Sequence, residues 1–154
     1  MPMKKGSFVL VDEAHGAHLG FFTGSSQGSP AVRSRCVAQS THKMAGSLTQ
    51  TSMLHCRRGF PLSDRLAASM AVVQSTSPHY WFLASLDSAR QQLALEGPEL
   101  IGRALDLARS VRDAINAIPG LTVFGRDIID GQVVSGFDET KITIDFSASR
   151  PTPE

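Results

Sequence analysis

The first apolar run in the chain, Phe8 to Val11, is followed at once by the polar and small residues "DEAHGAH". Four consecutive apolar positions bounded in this way predict a buried strand that carries Asp12 at its carboxyl end. The segment "LGFFTGSSQGSPAVRS", Leu19 to Ser34, is rich in glycine and serine and predicts a loop with one short helical turn. Further strands are expected at Cys36 to Gln39 and at Ser52 to Cys56, with the polar run "QSTHK" between them.

From Ser63 the period changes. "SDRLAASMAVVQ" places Leu66, Met70 and Val73 at helical spacing behind an N-cap serine and an early acid. Pro78 then opens a helix to about Leu95, and "PELIGRALDLARSVRDAINAI" continues as a long amphipathic helix to Ile118, where Pro119-Gly120 stops it. Short strands at Leu121 to Phe124 and Lys141 to Phe146 flank a glycine-containing connection, and "SASRPTPE", 147–154, is expected to be disordered. Strands giving way to helices predict an α/β fold, part of a largely parallel sheet with flanking helices, whose ligands sit beyond the carboxyl ends of the strands. Asp12 and the Ser40 to Lys43 run both fall at such ends.

Composition narrows the class of function. A chain of 154 residues is about one domain, able to bury ~70% of its unfolded surface. With 42% hydrophobic and 19% charged residues it reads as an ordinary soluble chain, neither disordered nor membrane-spanning. A net charge of +1 gives no electrostatic footprint for nucleic acid. "MPMKKGSF" lacks the long apolar segment of a secretory signal, which makes the cytoplasm the expected compartment. Cys36 and Cys56 are far apart without C-x-x-C spacing, so reduced thiols are expected. His15 and His18 form an H-x-x-H after a strand rather than on a helix, and no metal site is expected from them, from His42 and His55 or from the cysteines.

The D-E-A-H sequence of Asp12 to His15 also occurs as the acidic box of nucleotide-driven helicases. Those enzymes need an upstream phosphate loop, G-x-x-x-x-G-K-[ST], and neither the eleven residues before Asp12 nor any later stretch has that pattern. Lys43 points elsewhere. No other lysine occurs between Lys5 and Lys141, and this one follows serine, threonine and histidine, groups suited to a phosphate. An aspartate at one strand end and a lysine just past the next suit pyridoxal 5'-phosphate, which takes a lysine amine as a Schiff base and a carboxylate at its ring nitrogen.

On "VDEAHGAHLGF", "QSTHKMAGSLTQTSMLH", "QSTSPHYWFLASLDSARQQLA" and "IPGL", in this order, the chain resembles the Orn/Lys/Arg decarboxylases, pyridoxal-phosphate enzymes of the aspartate-aminotransferase fold. The resemblance covers roughly Phe8 to Phe146 and implies that residues 1–146 are part of that family's large domain. It makes Lys43 the Schiff-base lysine and Asp12 the partner of the ring nitrogen, with Ala14 packed on the ring face. Ser40 and His42 would contact the phosphate, His15 would sit beside the ring or the substrate carboxylate, and Thr76 or Ser77 would reach a phosphate across a dimer interface. Tyr80 and Trp81 are expected as core or interface aromatics.

The activity implied is decarboxylation of lysine, arginine or ornithine to an amine, with Lys43 or a nearby histidine as proton donor, in a homodimer or higher homo-oligomer. Family members are longer. Their upstream phosphate loop, ring-stacking aromatic residue and C-terminal domain have no counterpart here, and Arg33 and Arg35 replace the small and acidic residues usual before the second strand. Two other functions fit the same residues: a noncatalytic remnant acting as a binding or dimerising subunit, and a cofactor enzyme of another reaction type.

Overall fold

A computed structural model of the chain describes residues 8–21, 36–128 and 136–149. The stretch 22–35 with Arg33 and Arg35, the connection 129–135 and residues 150–154 of the expected tail lie outside the described residues. The chain divides into two compact units, Met1–Pro98 and Glu99–Glu154.

In the first unit the apolar runs become strands β1 (Leu10–Asp12), β2 (Cys36–Gln39) and β3 (Met53–Cys56), which form one sheet in that order, although β1 is not the buried strand expected, with Leu10 exposed and Val11 only half-buried. β1 runs parallel to β2 with Asp12 opposite Ala38, and β2 runs antiparallel to β3. The α/β character is present, but the sheet is mixed rather than largely parallel among the described residues. The reason is the connection. Between β2 and β3 it holds a single four-residue helix, α1 (Thr41–Met44), and without a long crossover helix the chain turns back beside its own strand. Val37 and Cys36 of β2 are buried, as are Ala17, Ala45 and Phe60, and Phe8 meets Phe60 edge to face at 5.6 Å between ring centroids.

That reversal also corrects the expectation of reduced thiols. Cys36 and Cys56 sit directly opposite one another in the β2–β3 register, with Cα atoms 4.4 Å apart, and they form a disulfide. Sequence separation concealed a pairing that only the strand register reveals.

α2 (Ser63–Val73) follows, but Ser63 is already inside it: Leu62 holds the N-cap position, and no side chain caps the helix. The expected apolar face is only partly covered, with Leu66 and Met70 half-buried and Val73 exposed. The helix expected from Pro78 and its continuation to Ile118 form one helix, α3 (Tyr80–Asn116), with Pro98 inside it. Pro98 removes one rung, the bond to the carbonyl of Ala94, and Gly97 before it is a poor helix former, yet the helix carries through on the Leu93–Glu96 and Glu99–Ile101 flanks. Tyr80 and Trp81 are not core residues, being 79% and 76% exposed at the start of α3. Among the described residues no helix is long and apolar enough to cross a membrane.

The second unit pairs β4 (Thr122–Val123) antiparallel with β5 (Ile144–Asp145). Gly120, at φ 83°, makes the reversal after α3, and a Cβ there would lie 2.9 Å from the Cα of Ser149. Ser149 closes its own turn, its N–H donating to the carbonyl of Phe146 at 3.0 Å. Buried Arg112 of α3 donates to the carbonyls of Phe124, Glu139 and Lys141 at 3.3, 2.7 and 2.5 Å, and its guanidinium lies 5.7 Å from the centroid of Phe137.

Candidate active site

Parallel pairing makes β1 and β2 leave the sheet at the same edge. The backbone N–H of Glu13 donates to Ala38 at 2.8 Å, carrying the pairing one residue past Asp12, and the Glu13 carboxylate accepts from the Gln39 amide at 2.5 Å. Glu13 is buried, so this bond forms away from competing water. The chain then turns sharply, with the N–H of Gly16 donating to Glu13 at 2.9 Å. A Cβ on Gly16 would fall 2.2 Å from Cγ of Glu13, so glycine is required by the close approach of that side chain.

Asp12 lies exposed at the end of β1, where Oδ1 accepts from the N–H of Ala14 at 3.1 Å. This bond to the backbone two residues on orients the carboxylate and leaves Oδ2 for another donor. Ala14 is half-buried beside it. His15, exposed, brings Nε2 to 3.4 Å from Nζ of Lys43, at the outer limit of a hydrogen bond. An ammonium can only donate, so with Lys43 protonated this contact needs the Nε2 lone pair of a neutral His15.

Ser40, half-buried, precedes α1 but makes no side-chain cap; its carbonyl accepts from the N–H of Lys43 at 3.0 Å. Thr41 is buried, and its hydroxyl has no hydrogen-bond partner among the described residues. His42 is held twice by one oxygen: its backbone N–H and its Nδ1 lie 3.3 and 2.7 Å from the carbonyl of Thr51. A carbonyl only accepts, so Nδ1 carries the proton and Nε2 is the nitrogen left for a ligand. Thr51 is fixed in turn. Its hydroxyl donates to the carbonyl of Leu48 at 2.6 Å and meets Ser47 at 2.6 Å, in a turn where Gln50 takes φ 74°. The N–H of Leu48 donates to the Ser85 hydroxyl at 2.6 Å, which ties the turn to α3.

The cluster therefore joins Lys43 to His15, with Asp12 and Ala14 at the neighbouring strand end and Ser40 and His42 flanking the lysine. It does not include Thr76 and Ser77. Both are exposed between α2 and α3, where the N–H of Ser77 donates to the Ser75 hydroxyl at 3.1 Å, and among the described residues no hydrogen bond or ion pair links them to Lys43. α3 takes its first turn from His79, whose carbonyl accepts from the N–H groups of Phe82 and Leu83. Sequence reasoning missed Glu13, Gln39 and Thr51, which hold the cluster without belonging to it. For Glu13 a signal existed: an acid inside a four-residue box with a glycine three positions later.

Residues 3–148 match the family model of the Orn/Lys/Arg decarboxylase major domain. The chain belongs to this family. Among its relatives in the Orn/Lys/Arg decarboxylase family, the arginine decarboxylase of Halalkalibacterium halodurans is 41% identical over 136 residues, and that of Bacillus subtilis 40% over 136 residues. Each match covers 88% of this chain and 28% of the relative, so the chain spans little more than a quarter of their length. The lysine decarboxylase LdcA of Pseudomonas aeruginosa is 32% identical over 115 residues, covering 71% of this chain and 15% of its own.

Proposed function

We propose that this chain is the lysine-bearing part of the large domain of a pyridoxal-phosphate-dependent decarboxylase of the aspartate-aminotransferase fold, acting on a basic amino acid in the cytoplasm as a homodimer or larger homo-oligomer. One observation carries the reading: in a chain of this family, the Lys43 amine lies 3.4 Å from His15 just past the carboxyl ends of a parallel strand pair. Arginine is the substrate to try first, because relatives at about 40% identity are named arginine decarboxylases; lysine and ornithine follow.

The donor set suits the cofactor. Amine, carboxylate, imidazole and hydroxyl groups lie at one sheet edge, and the buried Thr41 hydroxyl, without a hydrogen-bond partner among the described residues, is the kind of polar atom that an oxyanion ligand satisfies. When bound, pyridoxal phosphate supplies a protonated ring that accepts the electrons released when the carboxylate leaves the amino acid. Lys43 would hold it through the aldehyde carbon, Asp12 would keep a proton on the ring nitrogen, and Ala14 would leave room for the ring face. Ser40 and His42 would face the phosphate, His42 through Nε2. Nζ of Lys43 and Nε2 of His15 are close enough to pass one proton between them, which frees the amine as a nucleophile and later returns the proton. Thr76 or Ser77 would serve a site in the partner subunit rather than this one.

The test is to incubate the purified chain with pyridoxal phosphate, reduce with borohydride and map the labelled peptides. Label at Lys43 is the expected result. Label mainly on Lys4, Lys5 or Lys141 would sink the assignment and favour a noncatalytic binding subunit.

A further inference from the structure

We propose that Cys36 and Cys56 are a reversible thiol–disulfide modification site that closes a loop around the lysine segment. The chain has two cysteines, and the β2–β3 register sets them directly opposite each other. The disulfide spans 20 residues of sequence, and the closed loop contains Ser40, Thr41, His42, Lys43 and Thr51. Every side chain of α1 and the carbonyl that fixes His42 thus lie inside one covalent ring. Closing the ring removes unfolded conformations of this segment and leaves the rest of the chain untouched.

The two residues differ in exposure. Cys56 is exposed at the end of β3, whereas Cys36 is buried at 5% exposure, so a small disulfide such as oxidised glutathione meets Cys56 first. The Cys56 thiolate attacks one glutathione sulfur, forming a mixed disulfide and releasing one glutathione thiolate. The Cys36 thiolate then attacks Sγ of Cys56, forming the Cys36–Cys56 bond and releasing the second. The two cysteines lose two protons and two electrons in total, and one glutathione disulfide becomes two glutathione thiols. In a reducing compartment the pair rests open and closes as the disulfide poise rises. Neither the cofactor nor catalysis enters the proposal, so it stands or falls separately from the function above.

The full chain is equilibrated in graded glutathione buffers, with and without concentrated guanidinium chloride, and mapped after differential alkylation. The expected product is an intramolecular Cys36–Cys56 peptide, with an effective concentration at least about tenfold higher in native buffer than in denaturant. Hydrogen exchange is then compared between oxidised and reduced forms of the same chain, and the amides of 40–51 are expected to exchange at least about tenfold more slowly when oxidised. Glutathione adducts on both cysteines without the cross-link, cross-links between chains, equal effective concentrations in the two solvents, or unchanged exchange over 40–51 would each overturn the proposal.

Discussion

Lys43 in the first unit and Arg112 in the second are both cations close to strands, and the molecule treats them in opposite ways. Arg112 is buried, donates to three backbone carbonyls and lies over an aromatic ring. Lys43 is exposed, with its amine at the limit of a single contact to His15. A buried cation that donates to three carbonyls is a structural tie, and removing it leaves acceptors stranded. One whose donors are left open costs the fold little and is free for chemistry. The neighbours repeat the contrast: Asp12 keeps one carboxylate oxygen open, while Glu13, next in sequence, is buried and bonded to Gln39.

The sharpest break of this comparison is functional. Lys43→Ala is expected to abolish borohydride-trapped label in the lysine segment while leaving unfolding by denaturant unchanged. In a complete family enzyme carrying this segment, Asp12→Asn is expected to lower turnover about a thousandfold, ~4 kcal/mol of barrier, with the fold intact. Near-normal turnover in the folded variant would make Asp12 a turn residue only. Arg112→Ala should do the reverse, lowering stability by about 3 kcal/mol in a denaturant titration, because three carbonyls lose their donor. Arg112→Lys would recover only part of this, since an ammonium cannot reproduce the planar fork. A loss under 1 kcal/mol for the alanine variant would show that water replaces the guanidinium at no cost.

What could be read from the sequence follows the same division. Within the cluster, Lys43 stood out as the one lysine between Lys5 and Lys141 and Asp12 as the acid that ends an apolar run, whereas Ala14, His15, Ser40 and His42 were singled out through the resemblance. β2 was legible to the residue because "CVAQ" is bounded by charge on one side and hydroxyls on the other. Long-range partners were not. The disulfide depends on strand register, the Arg112 ties on carbonyls 12 to 29 residues away, and the antiparallel return of β3 on how short α1 is. α3 runs on through Pro98 because the proline costs one hydrogen bond, and a helix of 37 residues absorbs the loss.

A smaller effect tests whether the strand ends must be tied at all. Gly16→Ala is expected to cost about 1–2 kcal/mol, since its Cβ overlaps Cγ of Glu13. Glu13→Ala removes that atom, so the double variant should lose less than the sum of the two single ones. Additive losses in denaturant titrations would mean that the backbone turn, rather than the side-chain contact, demands glycine.

The smallest effect concerns a group between the two extremes. Asp145, in β5, is held below its ordinary carboxyl value of 3.8 by the backbone N–H of Ser147, 2.8 Å from Oδ1, and then by the Ser147 side chain, with burial opposing weakly. Both bonds favour the charged form, so the carboxylate stabilises the folded chain fully above about pH 4, and that contribution is lost as the pH falls through the lowered folded value. Ser147→Ala deletes the weaker bond and keeps the stronger one. The Asp145 titration, followed by NMR at its carboxyl carbon, should therefore move up toward the ordinary value without reaching it, and the acid limb of stability should become shallower. An unchanged titration would assign the whole effect to the backbone N–H, and Asp145 would then resemble Arg112 in taking its hydrogen bonds from the main chain.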